Sequence, residues 1–117
     1  MTILNDDPSL PSGPLAGVLA GLKWAHARNL DFLATAPCDA PLLPTDVFER
    51  LLDAIGLAPA AFAVTSVGEH PLCAVWQVAL QTPLEHSLRG GVHPSVRSFL
   101  VEQHAERVWF DDARAFA

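Results

Sequence analysis

Positive charge is scarce in this sequence of 117 residues, with 7 Lys and Arg against 13 Asp and Glu and a formal net charge of −6. A nucleic-acid binder needs a basic stripe to displace counterions from phosphates, so the balance argues against DNA and RNA as partners. Long apolar runs are also missing: Gly, Pro, Asp or Arg interrupts each one short of the ~18 residues a membrane helix needs. The opening Met-Thr-Ile-Leu-Asn-Asp-Asp-Pro has neither the basic start nor the apolar core of a secretory signal. No membrane contact, a cytoplasmic location and reduced thiols are therefore expected. Cysteine is limited to Cys38 and Cys73, which show no zinc-type spacing with the histidines and read as small buried hydrophobes. Charged residues make up 17% of the chain and hydrophobic ones 50%, whereas a soluble domain averages ~25% charged. So oily a chain of single-domain length is expected to self-associate or to meet a partner.

What is present reads as a continuous α/β alternation, one domain over residues 1–117 with ten prolines spread along it, mostly at element boundaries. Thr2-Ile3-Leu4 resembles the end of a strand and runs into the turn Asn5-Asp6-Asp7-Pro8. Leu15, Val18, Leu19 and Leu22 fall at helical spacing after Pro14, which predicts a helix to about Arg28. Asp31 to Ala36 is short and nearly all apolar, the pattern of a strand buried on both faces of a parallel sheet. Thr45 is placed to cap a second helix bearing Val47, Leu51 and Ile55, with Gly56 as its stop. Ala60–Val67 and Leu72–Leu80 read as an antiparallel hairpin joined by Gly68-Glu69-His70-Pro71. Thr82-Pro83-Leu84-Glu85 reads as a capping box for a short helix ending at Gly90 or Gly91. A last helix spans Pro94 to His104, and Glu106 to Phe110 reads as a closing strand. Neither end carries a terminating signal, so both read as interior to a longer domain.

Two places suit chemistry. Gly13-Pro14-Leu15-Ala16-Gly17 feeds a glycine-rich turn into a helix, where free backbone N–H groups favour a phosphate. Gly17 and Gly21 have a competing explanation, close packing of the helix on the sheet. Pro37-Cys38-Asp39-Ala40-Pro41 places a carboxylate just past the carboxyl end of a strand, the edge at which open α/β sheets bind ligands. One carboxylate plus phosphate oxygens suits Mg²⁺, though a helix-cap aspartate reads equally well there. Asp6 and Asp7 follow the first strand in the same way. His70 reads as an exposed turn histidine rather than a base, and Cys38 with His70 has no support as a nucleophile pair. Arg89, His93 and Arg97 flank Gly90-Gly91, where they meet either an anion or solvent.

Three segments, Gly-Pro-Leu-Ala-Gly-Val-Leu-Ala-Gly-Leu (13–22), Pro-Cys-Asp-Ala-Pro-Leu-Leu-Pro (37–44) and His-Pro-Leu-Cys-Ala-Val-Trp (70–76), occur in this order and spacing. Together they resemble the molybdenum cofactor guanylyltransferases, and the resemblance extends through the acidic turn at Asp6-Asp7 to the closing Phe110-Asp111-Asp112-Ala113-Arg114-Ala115-Phe116. The serine-rich first motif and Gly-Asp-Gln-Pro second motif of the sister cytidylyltransferases are absent. The resemblance implies a Rossmann-like nucleotidyltransferase three-layer sandwich, a mostly parallel sheet with an antiparallel hairpin. It also implies transfer of GMP from Mg²⁺-bound GTP to molybdopterin carrying molybdenum, with release of pyrophosphate. On the same basis Asp39 is the metal ligand, Asp6 a nucleotide-site aspartate, and Gly13, Pro14, Leu15, Ala16 and Gly17 line the nucleotide.

The family's opening Leu-Ala-Gly-Gly-x-Ser-x-Arg-Met-Gly-x-Asp-Lys loop has no counterpart here, and Lys23, the only lysine, lies within a predicted helix. The family continues with Asn-x-Asn-Thr-Pro where Ala117 stands. The chain therefore resembles the central and C-terminal part of such an enzyme, without its phosphate loop, and is expected to turn over poorly alone. A binding module that keeps the substrate half of the fold, or a transferase of other nucleotide specificity, are the competing readings.

Overall fold

Pro14 opens the first helix, whose apolar stripe has one job: covering a sheet. A computed structural model describes residues 14–36, 46–90 and 94–111. Along these the elements are α1 (Pro14–Ala27), β1 (Phe32–Thr35), α2 (Val47–Ile55), β2 (Ala60–Thr65), β3 (Gly68–Gln77), a 3₁₀ turn (Val78–Leu80), α3 (Gln81–Arg89), α4 (Val96–Glu102) and β4 (Glu106–Trp109). The strands form one sheet in the order β1-β3-β2-β4. β3 is antiparallel to both β1 and β2, while β4 lies parallel to β2. Hence β1, β2 and β4 run the same way and β3 is inserted against them. The Rossmann-like layering expected from the sequence is present, but β2 with β4 is the parallel pair among the described strands.

Side chains alternate across this sheet and supply two cores. On one face Leu15, Val18, Leu19 and Leu22 of α1, with Leu84 and Leu88 of α3 and Val96, Phe99 and Leu100 of α4, pack on Phe62, Ala74 and Trp76. On the other, Val47, Leu51 and Ile55 of α2 cover Ala61, Ala63, Cys73 and Val75 and meet Phe110. The small Ala60, Ala61 and Ala63 of β2 bring both helical layers close. Gly21 does the same for α1: a Cβ there would stand 2.7 Å from Leu33 Cδ2. Gly21→Ala is expected to be nearly neutral, because the tip of half-buried Leu33 can yield and helix propensity gains ~1 kcal/mol. Gly21→Val, which the tip cannot clear, is expected to cost about 1–3 kcal/mol in urea unfolding.

Several local expectations are corrected by packing. β1 is not buried on both faces; among the described strands it is an edge, half exposed, with Phe32 and the preceding Leu30 open to solvent. The hairpin turns at Ser66-Val67, and residues 68–71 belong to β3 rather than to the connection. Gly68 makes this tight reversal with φ of 132°, and the register slips between Phe62 and Ala63, where Pro71 lacks a ladder N–H. Thr82 is not a cap: the 3₁₀ turn runs straight into α3, whose N-cap Leu80 makes no side-chain bond. Thr45 lies outside the described residues, and α2 begins after Asp46, also without a side-chain cap. Gly56 stops α2 at φ 52°, as expected, and Ser95 caps α4 by accepting from the Ser98 N–H at 3.0 Å. Cys73 is buried and free, its thiol pushed up to about 11 by desolvation, so it is an inert core residue.

Candidate functional site

The shared direction of β1, β2 and β4 gathers their carboxyl ends, Thr35, Thr65 and Trp109, at one edge of the sheet, together with the start of β3. An edge so built has room for a ligand because the strands stop while the loops diverge. Polar side chains there are individually tied down. Thr35 Oγ1 donates to the Leu72 carbonyl at 2.8 Å and accepts from Trp76 Nε1 at 3.0 Å, which clamps the end of β1 onto β3. Thr65, the one buried polar side chain of the described core, pairs its hydroxyl with His70 Nε2 at 2.8 Å.

His70 is thus not an exposed turn residue. It is a half-buried strand residue whose imidazole is held beside the end of β2, and burial lowers its pKa. The folded protein favours neutral His70, so its contribution to stability is complete above the ordinary histidine range. It is lost as pH falls through the lowered folded value. Acid unfolding curves are expected to show this loss below about pH 6.5, and His70→Gln is expected to flatten it. An unchanged pH slope in that variant would refute the assignment.

On the other side of the edge, Arg50 of α2 stacks over the Phe110 ring at 4.1 Å and donates Nη2 to the Trp109 carbonyl at 3.1 Å. This pins α2 to the end of β4. Glu69 at the start of β3 joins Arg97 of α4 and Arg107 of β4, and those guanidiniums hold its carboxyl below the usual carboxylate range. Nothing in the sequence pattern marks Thr65, Arg50 or Arg107 as members of this edge. Their separations along the chain are long, and only strand order brings them together.

The residues singled out from the sequence fall in two groups. Pro14, Leu15, Ala16 and Gly17 form the first turn of α1; the side chains of Leu15 and Ala16 are buried in the core, Pro14 is exposed and Gly17 half-buried. Backbone N–H groups, not those side chains, are what this turn can offer a ligand. Asp6, Gly13 and Asp39 lie outside the described residues, as do Asp7, Cys38 and His93. Arg89 and Arg97 do not meet: Arg89 pairs with Glu85, which also binds Lys23 of α1 at 3.2 Å, whereas Arg97 goes to Glu69. Among the described residues no three His, Cys, Asp or Glu side chains come together to hold a metal. No described helix is long and apolar enough to cross a membrane. A concavity of about 590 Å³ opens at the opposite edge, between the Asn29–Phe32 entry to β1 and the Gln77–Ala79 exit from β3.

The family model of the MobA-like NTP transferase domain matches residues 1–108. The chain belongs to this family. Over 116 residues it is 40% identical to a protein named molybdenum cofactor guanylyltransferase from Cereibacter sphaeroides, covering 99% of this chain and 58% of that one. A protein of the same name from Shewanella putrefaciens is 35% identical over 97% of this chain and 58% of its own. The chain therefore spans little more than half the length of these MobA-like relatives. Among solved structures, a protein of Aquifex aeolicus superposes with a TM-score of 0.78 at 18% identity, over 92% of this chain and 56% of that one. Molybdopterin-guanine dinucleotide biosynthesis protein A of Archaeoglobus fulgidus superposes with a TM-score of 0.57 at 19% identity, over 85% and 47%. At those identities the likeness is one of fold, and it agrees with the nucleotidyltransferase layering expected of the sequence.

Proposed function

We propose that the chain is the central and C-terminal part of a molybdenum cofactor guanylyltransferase, acting in the cytoplasm. The observation that carries this reading is 40% identity to a guanylyltransferase across 99% of the chain. In the reaction a phosphate oxygen of the molybdopterin acceptor bonds to the α-phosphorus of GTP as the bond to pyrophosphate breaks. Catalysis of this kind is mostly positioning and charge stabilisation, so a carboxylate and backbone donors are among the parts it needs on the protein's side. Asp39 would hold Mg²⁺: in the sequence it comes shortly after β1, and a carboxylate is the hard oxygen donor that ion takes. When bound, the ion neutralises charge on the phosphates. On the resemblance to the family, Asp6 and residues Gly13 to Gly17 would line the nucleotide.

The sheet also supports a partner region. Among the described strands β1 pairs with β3 alone, and its other edge, beside exposed Phe32 and Leu30, has no described partner. An extended segment from the part of the family domain that this chain does not span would complete that ladder. Without it the chain is expected to self-associate through β1, and Phe32→Lys is expected to shift sedimentation toward monomer. A monomeric unsubstituted chain with cooperative unfolding would overturn this.

One observation favours a second reading, that of a binding module. Lys23 sits within α1 tied to Glu85, so the chain's one lysine is not placed as a triphosphate ligand. Separate titrations of Mg²⁺-GTP and of a pterin phosphate decide between the two. Guanylyltransferase function requires both to bind, whereas a module that keeps only the substrate half binds the pterin alone.

A further inference from the structure

At the carboxyl edge, on the face covered by α4, one row of the sheet runs Glu69, Val64, Trp109 in register across β3, β2 and β4. Arg107 lies in the preceding row, opposite Phe62, with its guanidinium 5.7 Å from that ring. Glu69 receives Nε of Arg97 on one carboxylate oxygen and Nε of Arg107 on the other. Its side chain is 22% exposed, while those of Arg97 and Arg107 are 55% and 52% exposed. The carboxylate is therefore a buttress under two guanidiniums. Both bind Glu69 through Nε, and no hydrogen bond of their terminal amino groups is seen among the described residues.

Trp109 stands two residues beyond Arg107 on the same face of β4 and is 54% exposed. About half of the ring is in water, which leaves apolar area free for a contact. Its Nε1–H donates to Asp111 Oδ1 at 2.8 Å, which fixes the indole while leaving its ring open. The charges are thus ordered in space, with Asp111 at the indole N–H and the paired arginines over Glu69.

We propose that Arg97, Arg107 and Trp109, buttressed by Glu69, bind a planar heterocycle bearing a phosphate monoester, and that this is the acceptor subsite of the transfer reaction. The proposal rests on the guanylyltransferase reading for its assignment to the acceptor. Two guanidinium forks set apart by a carboxylate offer convergent, charge-assisted donors to a phosphate, which lysines would not orient. An exposed indole stacks a flat heterocycle. A guanine nucleotide shares this chemistry with a pterin phosphate, so the test must separate them.

The test titrates 6-hydroxymethylpterin monophosphate and, separately, Mg²⁺-GTP into the protein as the cell makes it, reading calorimetry and tryptophan fluorescence. The pterin phosphate is expected to quench fluorescence, and Trp109→Phe to remove most of that quench. Combined Arg97→Gln and Arg107→Gln is expected to weaken the pterin phosphate at least tenfold while GTP affinity stays within twofold. Combined Arg97→Lys and Arg107→Lys, which keeps the charge, is expected to recover only part of the loss. Unchanged pterin affinity in the glutamine variant overturns the site, leaving a structural ion network. Loss of GTP instead of pterin overturns its assignment to the acceptor. A wild-type protein that does not bind the pterin phosphate overturns it too. Absence of GMP transfer with pterin binding intact and arginine-dependent would refute the guanylyltransferase reading while leaving the binding site standing. Should the double glutamine variant fail to fold, Trp109→Ala, at an exposed position, supplies the same affinity comparison.

Discussion

On the proposed function, and assayed in the complete enzyme, Asp39→Ala is expected to reduce GMP transfer by about 10²–10³-fold, the range seen when a single charge-organising group is removed from a transferring centre. The expectation follows from position and chemistry together. In the sequence Asp39 comes shortly after Thr35, the last residue of β1, and a metal between enzyme and triphosphate needs at least one carboxylate. Asp39→Asn keeps shape and removes charge, so it should fall nearly as far. Steady-state transfer assayed at several Mg²⁺ concentrations checks the claim. Activity within twofold of wild type in either variant would remove Asp39 from the mechanism and, with it, the main chemical argument for the proposed reaction.

Trp76→Ala is expected to be the most destabilising single change in the described fold, at about 3–5 kcal/mol. Trp76 is fully buried in β3, stacks on Phe99 of α4 with centroids 6.5 Å apart, and ties β1 through its indole N–H to Thr35 Oγ1. Three elements lose their common contact when it is cut to a methyl. Domains of this size are stable by only about 5–15 kcal/mol, so the variant should lose a large share of its margin and unfold at a clearly lower urea concentration. Trp76→Phe separates the two roles. It keeps the stacking and loses one hydrogen bond, while Thr35 still donates to Leu72, so it should cost about 1 kcal/mol beyond the lost volume. Urea unfolding followed by circular dichroism checks both, and a Trp76→Ala cost below 1 kcal/mol would show that the two layers of the core do not depend on this ring.

The elements that were legible in the sequence are those whose signal is short-range. α1 begins at Pro14 and buries Leu15, Val18, Leu19 and Leu22 as their spacing requires; α2 runs from Val47 to its stop at Gly56 with Val47, Leu51 and Ile55 inward. The resemblance to the guanylyltransferases was legible for a related reason, since its three motifs are contiguous stretches. Elements misread are those whose signal is shared with an alternative. An apolar run such as Phe32 to Thr35 has the same pattern at a sheet's centre and at an edge awaiting a neighbour. A threonine three residues ahead of nothing but helix, as at Thr82, reads as a cap unless a preceding turn has already satisfied the backbone.

Sequence by itself determined the α/β class, the positions of most helices and strands, the family, and the acidic and glycine-rich motifs on which the proposed chemistry stands. Tertiary structure alone decided that β1 is an edge among the described strands, that β3 enters between β1 and β2, and that His70 is held by Thr65. It alone brought Glu69, Arg97, Arg107 and Trp109 to one face. The division has a physical cause. Helical and strand periodicities, caps and turns are written within a few neighbouring residues, whereas strand order and the meeting of side chains 28 or 38 positions apart are set by how two helical layers close on one sheet.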